Sequence, residues 1–295
     1  MNIENFLRSA NESLLRPALS AAKALLKSRR PSAAVKNAPR PLIIMGNGPS
    51  LRSFLDFEAA DPTIRERFDL EAVNFAAITP EFARLRPELY VLADPHFFTP
   101  TKPDPRVDLL WENIAKCNWP MTLWLPLSIR KRIAGRLSVI PSCVTLKWMN
   151  LTPVEGRGPI ADMLIDAGLG MPRPRNVLIP AIMTAMRSGY SRIFLTGADH
   201  SWSRSLWVDD ANRVVSVQPH FYRDDEKERQ RVEAEYAGYH LHDILDSLRI
   251  AFKSYFDISR HASRHGVMIY NATPESFIDA FPRCDYAQMT TLSAQ

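Results

Sequence analysis

The chain has 295 residues, 46% of them apolar, and a formal net charge of +5, which suits one large domain with a buried core. The first forty residues carry three Lys and five Arg against two Glu, so the rest is close to neutral, which excludes a broad nucleic-acid footprint. Cys117, Cys143 and Cys284 are scattered without CxxC spacing, which excludes a thiolate zinc site and a disulfide framework and points to reduced thiols in a cytoplasmic protein.

Residues 1–30 read as an amphipathic helix broken at Pro17. Phe6, Leu14, Leu15, Leu19, Ala22, Leu25 and Leu26 form its apolar stripe; Arg8, Arg16, Lys23, Lys27, Arg29 and Arg30 form its basic face and end. This pattern fits peripheral contact with the inner face of an anionic cytoplasmic membrane. It also fits a helix docked on its own domain or on a second subunit of a homo-oligomer. Pro31 to Pro41 reads as a linker, which makes 1–40 a unit of helix and linker ahead of a domain at 41–283 and a tail at 284–295. No apolar run reaches the length of a membrane span, and the N-terminus lacks the apolar core of a secretion signal.

From Pro41 onward, apolar runs alternate with segments of helical spacing. Strands are expected at 42–45, 70–74, 89–93, 122–125, 144–148, 192–196 and 267–270. Helices are expected at 50–59, 79–84, 107–116, 127–134, 159–167, 177–188 and 240–264. Such alternation predicts an α/β fold, a mostly parallel sheet with helices on both faces. Residues 149–176 read as an irregular connection, and 200–240, rich in Asp, Arg, Trp, His and Tyr, as a lid insert.

The most informative stretch is Ile43-Ile44-Met45-Gly46-Asn47-Gly48-Pro49-Ser50-Leu51. A strand runs into two glycines that permit positive φ and close approach of a ligand to the backbone. Pro49 and Ser50 then suit a helix start. A helix N-terminus behind a glycine turn suits an anionic, phosphate-bearing ligand. The segment is neither Gly-x-Gly-x-x-Gly nor a Walker loop.

Three successive strands end in polar residues, Asn47, Asn74 and Asp94, which a parallel sheet places on one edge. A fourth strand ends in Asp199-His200-Ser201-Trp202, where Asp199 suits hydroxyls and Trp202 suits a ring. In the insert, His220, Tyr222 and Arg223 put an imidazole beside a phenol and a guanidinium, a set suited to proton transfer and phosphate stabilisation. His240 and His242, two apart, are expected to point in different directions. His261 and His265, with Arg264 between them and no nearby carboxylate in sequence, read as an exposed basic helix end. No Asp-x-Asp pair reads as a clamp for a divalent metal and a nucleotide sugar.

Ile44-Met45-Gly46-Asn47-Gly48-Pro49-Ser50-Leu51, the strand end at Asn74, and Gly189-Tyr190 followed by Ile193, Thr196, Gly197 and Asp199 resemble the bacterial sialyltransferases of glycosyltransferase family 42. They also resemble the wider group of flagellin glycosyltransferases and surface-polysaccharide proteins. The C-terminal run Gly266 to Ser276 fits that group's last strand and turn. The resemblance implies a Rossmann-like domain with a lid and metal-independent transfer of a nonulosonic sugar from a cytidine monophosphate donor to a glycan acceptor. It implies that Gly46, Asn47, Gly48, Pro49, Ser50 and Asn74 hold the donor. Asp94 stands where the sialyltransferases carry an amide that helps hold the nucleoside, which leaves the donor open. Ser201 or Trp202 stands where the first of the family's two lid tyrosines would fall, and Tyr222 is the substitute. His220 matches the catalytic base, with His240 and His242 behind it. Tyr222, Arg223 and the backbone amides of Gly48 and Ser50 would steady the departing phosphate. Two further readings are a pterin diphosphokinase-like enzyme, with acidic Mg²⁺ ligands near the glycine turn, and a non-catalytic nucleotide- or glycan-binding protein.

Overall fold

The computed structural model describes residues 10–35, 38–100, 103–216 and 238–293. His220, Tyr222 and Arg223 lie outside the described residues. In chain order the elements are Arg16–Lys27 (α1), Leu42–Met45 (β1), Leu51–Ala60 (α2), Ile64–Arg67 (α3), Asp69–Val73 (β2), Pro80–Leu85 (α4) and Leu89–Val91 (β3). Pro105–Ala115 (α5), Met121–Pro126 (β4), Ala134–Leu137 (α6), Val144–Met149 (β5), Pro159–Asp166 (α7), Leu178–Arg187 (α8) and Arg192–Thr196 (β6) follow. A short hairpin pairs Trp207–Val208 (β7) with Val214–Val215 (β8), and Leu241–Arg264 (α9), Met268–Asn271 (β9) and Tyr286–Leu292 (α10) complete the chain.

Seven parallel strands form one sheet in the order β5-β4-β3-β2-β1-β6-β9. Strand β1 is buried along its whole length, as a central parallel strand covered on both faces must be. On one face Ile43, Leu70 and Phe194 pack against α2, α4 and α5 through Phe54, Phe82, Leu110 and Trp111. On the other, Leu42, Ile44, Ile193 and Leu195 pack against α7, α8 and α9 through Leu164, Ile182, Tyr255 and Ile258. The fold is Rossmann-like, with helices on both faces. Among the described residues, no helix is long and apolar enough to cross a membrane.

Four expectations need correction. The helix expected at 127–134 is two pieces, a 3₁₀ turn at Leu127–Ile129 and α6, because Arg130, Lys131 and Arg132 interrupt the apolar spacing and only Ile129 and Ile133 are buried there. Pro17 does not break the N-terminal helix. It sits in the first turn of α1, where its missing N–H costs nothing, behind a π-helical turn at Asn11–Leu15.

The stretch Pro31 to Pro41 is not a free linker where it is described. The N–H of Ser32 donates to the carbonyl of Trp148 (3.0 Å), that of Val35 to Arg187 (2.7 Å) and that of Ala38 to Gly189 (3.0 Å). Finally, the segment 284–295 carries α10 rather than a plain tail. Asp285 and Gln288 cap that helix reciprocally, Met289 is fully buried, and Tyr286 stacks on Phe57 of α2.

Candidate functional site

The chain leaves β1 to build β2 through β5 on one side, then returns to place β6 and β9 on the other. The connections that follow these turns lead to opposite faces of the sheet, so its topological switch point lies at the carboxyl edge of β1 and β6. A cleft of about 790 Å³ opens there. Gly46, Asn47, Gly48, Pro49, Asn74, Asp94, Asp199, His200, Ser201 and Trp202 all line it. Residues distant in sequence thus meet at one sheet edge. His240 and His242 are not part of this lining.

The glycines of the turn serve a different purpose from the one expected. Neither Gly46 nor Gly48 has positive φ; Gly197 does, at +61°. A Cβ on Gly46 would meet the carbonyl of Gly197, and one on Gly197 would meet the carbonyl of Gly46. What approaches this backbone is the chain's own turn after β6. The N–H of Gly46 donates to Thr196 (2.7 Å) and that of Gly48 to Gly197 (2.9 Å).

Asp199 completes this lock. The N–H of Ser50 donates to Asp199 Oδ1 (3.3 Å) and the Ser50 hydroxyl to Oδ2 (2.7 Å). A Cβ on Gly48 would land on the same carboxylate. Ser50 therefore does not cap α2 with its own side chain; a carboxylate from the neighbouring strand end fills the positive helix N-terminus. The backbone amides of Gly48 and Ser50, expected to steady a phosphate, are already committed within the protein.

The amides keep more freedom. Asn47 Nδ2 donates to the carbonyl of Val73 (3.3 Å), tying the ends of β1 and β2 together. Asn74 sits at φ +51° with its Oδ1 buried and without a partner. An asparagine tolerates that conformation better than most residues, but an unpaired amide oxygen beside it is a cost kept at the cleft wall. Asp94 is exposed, and its Oδ1 accepts from the N–H of His96 (2.8 Å), so one oxygen serves the turn after β3.

His200 is buried and also left-handed, at φ +52°. Its Nε2 lies 2.6 Å from the Tyr255 hydroxyl, which donates to Asn176 Oδ1 at 2.9 Å. Because the hydroxyl gives its proton to Asn176, its oxygen accepts from His200 Nε2–H, which sets the tautomer. Burial pushes the imidazole down to about 3, so His200 is a weak base for an acceptor hydroxyl. Trp202 packs against its ring at 4.1 Å between centroids.

Arg175, Asn176 and Arg204 also line the cleft and were not singled out in the sequence. Asn176 carries a buried Nδ2 without a partner, while its Oδ1 also accepts from the N–H of Leu178 (3.0 Å). An asparagine two residues before an apolar helical run is legible as a helix start; nothing local shows that it lines the same cleft as Asn47. Arg204 pairs with Glu275 (3.2 Å) and covers the Phe277 ring at 4.9 Å.

The remaining histidines differ from expectation. His240 has extended backbone ahead of α9 rather than a helical one, so its ring stacks on His242 at 5.9 Å instead of pointing away. Both are exposed. His261 is not an exposed basic end: it is buried, and Asp166 of α7 supplies the carboxylate that local sequence lacks.

Comparison with protein-family models, curated proteins and solved structures finds no match to this chain.

Proposed function

We propose that the cleft binds a nucleotide-activated sugar and that the protein is a glycosyltransferase. In this reading it moves a sialic acid or related nonulosonic sugar from a cytidine monophosphate donor to a glycan acceptor for surface polysaccharide. One observation carries the reading: a cleft of about 790 Å³ at the β1/β6 divergence lined by three side-chain amides, an indole and two guanidiniums. That volume suits a nucleotide with its sugar, and a few convergent polar groups are what orient such a ligand.

Asn47, Asn74 and Asn176 offer donors and acceptors to base and hydroxyls, and Trp202 offers an apolar face. Since the turn amides are occupied, the phosphate falls to Arg175 and Arg204, whose planar forks match it. His200, a weak base, leaves proton abstraction to another group. The reading keeps His220 for that role, with Tyr222 and Arg223 at the leaving phosphate.

A thermal-shift panel of nucleotides and nucleotide sugars tests the reading. Cytidine monophosphate and its sugar conjugates should stabilise the protein without added cation; a response to ATP with Mg²⁺ alone would overturn it. Replacing His220 with Ala is expected to abolish transfer while leaving donor binding nearly intact. Unchanged turnover removes His220 from the mechanism.

The Ser50–Asp199 pair favours a second reading. A hydroxyl and a carboxylate side by side on the glycine turn are hard oxygen ligands that fit Mg²⁺ bridging to nucleotide phosphates. That is the acidic group a diphosphotransferase of the pterin type requires. It predicts the Mg²⁺-dependent ATP response, so one panel separates the two.

A further inference from the structure

Far from the cleft, α7 and α9 end side by side. Residues 244–251 of α9 face the cleft, whereas His261 and His265 lie ten or more residues further on, about 15 Å along the axis. The chain turns at Gly266 into β9, so this end of α9 sits at the amino edge of the sheet. His261 and His265, four apart, share one helix face. Asp166, the last residue of α7, projects between them. Its Oδ1 lies 2.9 Å from His265 Nε2 and 3.6 Å from His261 Nε2. One potential ligand atom from each residue falls within 4.8 Å of the other two.

We propose that Asp166, His261 and His265 form a binding site for a divalent transition-metal ion, zinc above all, that clamps α7 to α9. Bonds of about 2.0–2.1 Å to a tetrahedral zinc put its ligand atoms roughly 3.4 Å apart, and the two separations from Oδ1 bracket that spacing. Two imidazoles with one carboxylate select a borderline ion over Mg²⁺ or Ca²⁺.

A simple His265–Asp166 ion pair accounts for less. It leaves His261, 5% exposed, with its Nε2 turned to Asp166 Oδ1 at 3.6 Å, too far for a hydrogen bond. Of the nearby cations, Arg264 pairs with Asp162, Arg260 pairs with Asp257 (2.8 Å), and Arg187 donates to the backbone carbonyl of Asp166 (3.2 Å). Asp166 and His265 are each about half exposed, which gives an ion its entry and leaves room for a water ligand.

The test uses the full chain freed of metal by chelation and titrated with Co²⁺. Intense visible d–d bands of a four- or five-coordinate centre, saturating at one ion per chain and bleached by Zn²⁺, are the expected result. His265→Ala and Asp166→Asn, both near the surface, should each abolish the bands and weaken Zn²⁺ binding about tenfold or more. Replacing His240 and His242 together with Ala should leave the bands intact. The absence of bands in the unaltered protein, their survival in His265→Ala, or their loss in the His240/His242 variant would each overturn the site. Since the readout is metal binding, its failure is independent of whether the cleft binds a nucleotide.

Discussion

The carboxylate of Asp199 serves two ends that conflict. It accepts both donors of Ser50 and so fixes the turn, yet it places a negative charge where a nucleotide phosphate would approach α2. An amide at this position still accepts a hydrogen bond but carries no charge. Asp199→Asn is therefore expected to raise cation-free affinity for cytidine monophosphate by up to about tenfold, since a screened repulsion at a half-exposed site is worth little more. A loss of Mg²⁺-dependent ATP binding in the same variant favours the diphosphotransferase reading, and calorimetric titration with each nucleotide distinguishes them.

Glu71 makes a second residue-scale prediction. It is fully buried on β2, its Oε1 3.5 Å from the Thr184 hydroxyl and its Oε2 unpartnered. Burial raises its carboxyl well above the ordinary 4.5, so the folded state holds the proton longer than the unfolded one. Its contribution is thus fully present below the unfolded value and is lost as pH rises through the folded one. Glu71→Gln copies the protonated shape without that loss. The variant should melt about 2 °C or more above the parent at pH 8 and close to it at pH 4, by calorimetry.

At the scale of elements, α1 docks on its own domain and leaves its large apolar residues open. Its small face, Pro17, Ser20 and Ala24, docks beside α7, while Leu25 and Leu26 stand 82% and 76% exposed and Leu14, Leu15 and Leu19 are open as well. The stripe seen in sequence is real, but it faces outward because only the small residues allow close helix contact. Exposed Lys27, Arg29 and Arg30 lie at the same end, so contact with an anionic bilayer is open to direct test. Replacing Leu25 and Leu26 with Ser should leave the melting profile unchanged and abolish cosedimentation with phosphatidylserine vesicles. Retained cosedimentation would separate the stripe from membrane contact.

The larger helices and strands were legible because each repeats its apolar period over several residues. The short Ile64–Arg67 helix, the β7–β8 hairpin and α10 were not, since few apolar positions mark them. His240 was misread for a related reason: its helical neighbours suggested a helical backbone, whereas capping of α9 requires an extended one.

For the molecule as a whole, the C-terminal segment matters beyond its length. Helix α10 lays Tyr286 against Phe54 and Phe57 on the helix that begins at the glycine turn. Burial, with Asp199 nearby, pushes the Tyr286 phenol up to about 12. Met289→Ala is expected to cost about 2–5 kcal/mol, as removal of a fully buried side chain does. Urea unfolding followed by tryptophan fluorescence measures this, and a loss below about 1 kcal/mol would show that α10 is peripheral.

The sequence by itself determined the alternation of seven strands and their helices, and with it the parallel sheet and the edge where Asn47, Asn74, Asp94 and Asp199 collect. These follow from local periodicity and from the rule that parallel strands share one direction. Only the tertiary structure decided what those residues do to one another. Asp199 filling the α2 N-terminus, Tyr255 accepting a hydrogen bond from His200, and Asp166 arriving between two histidines are contacts between segments far apart in the chain. Local pattern carries no information about such pairs, because packing of the whole sheet brings them together.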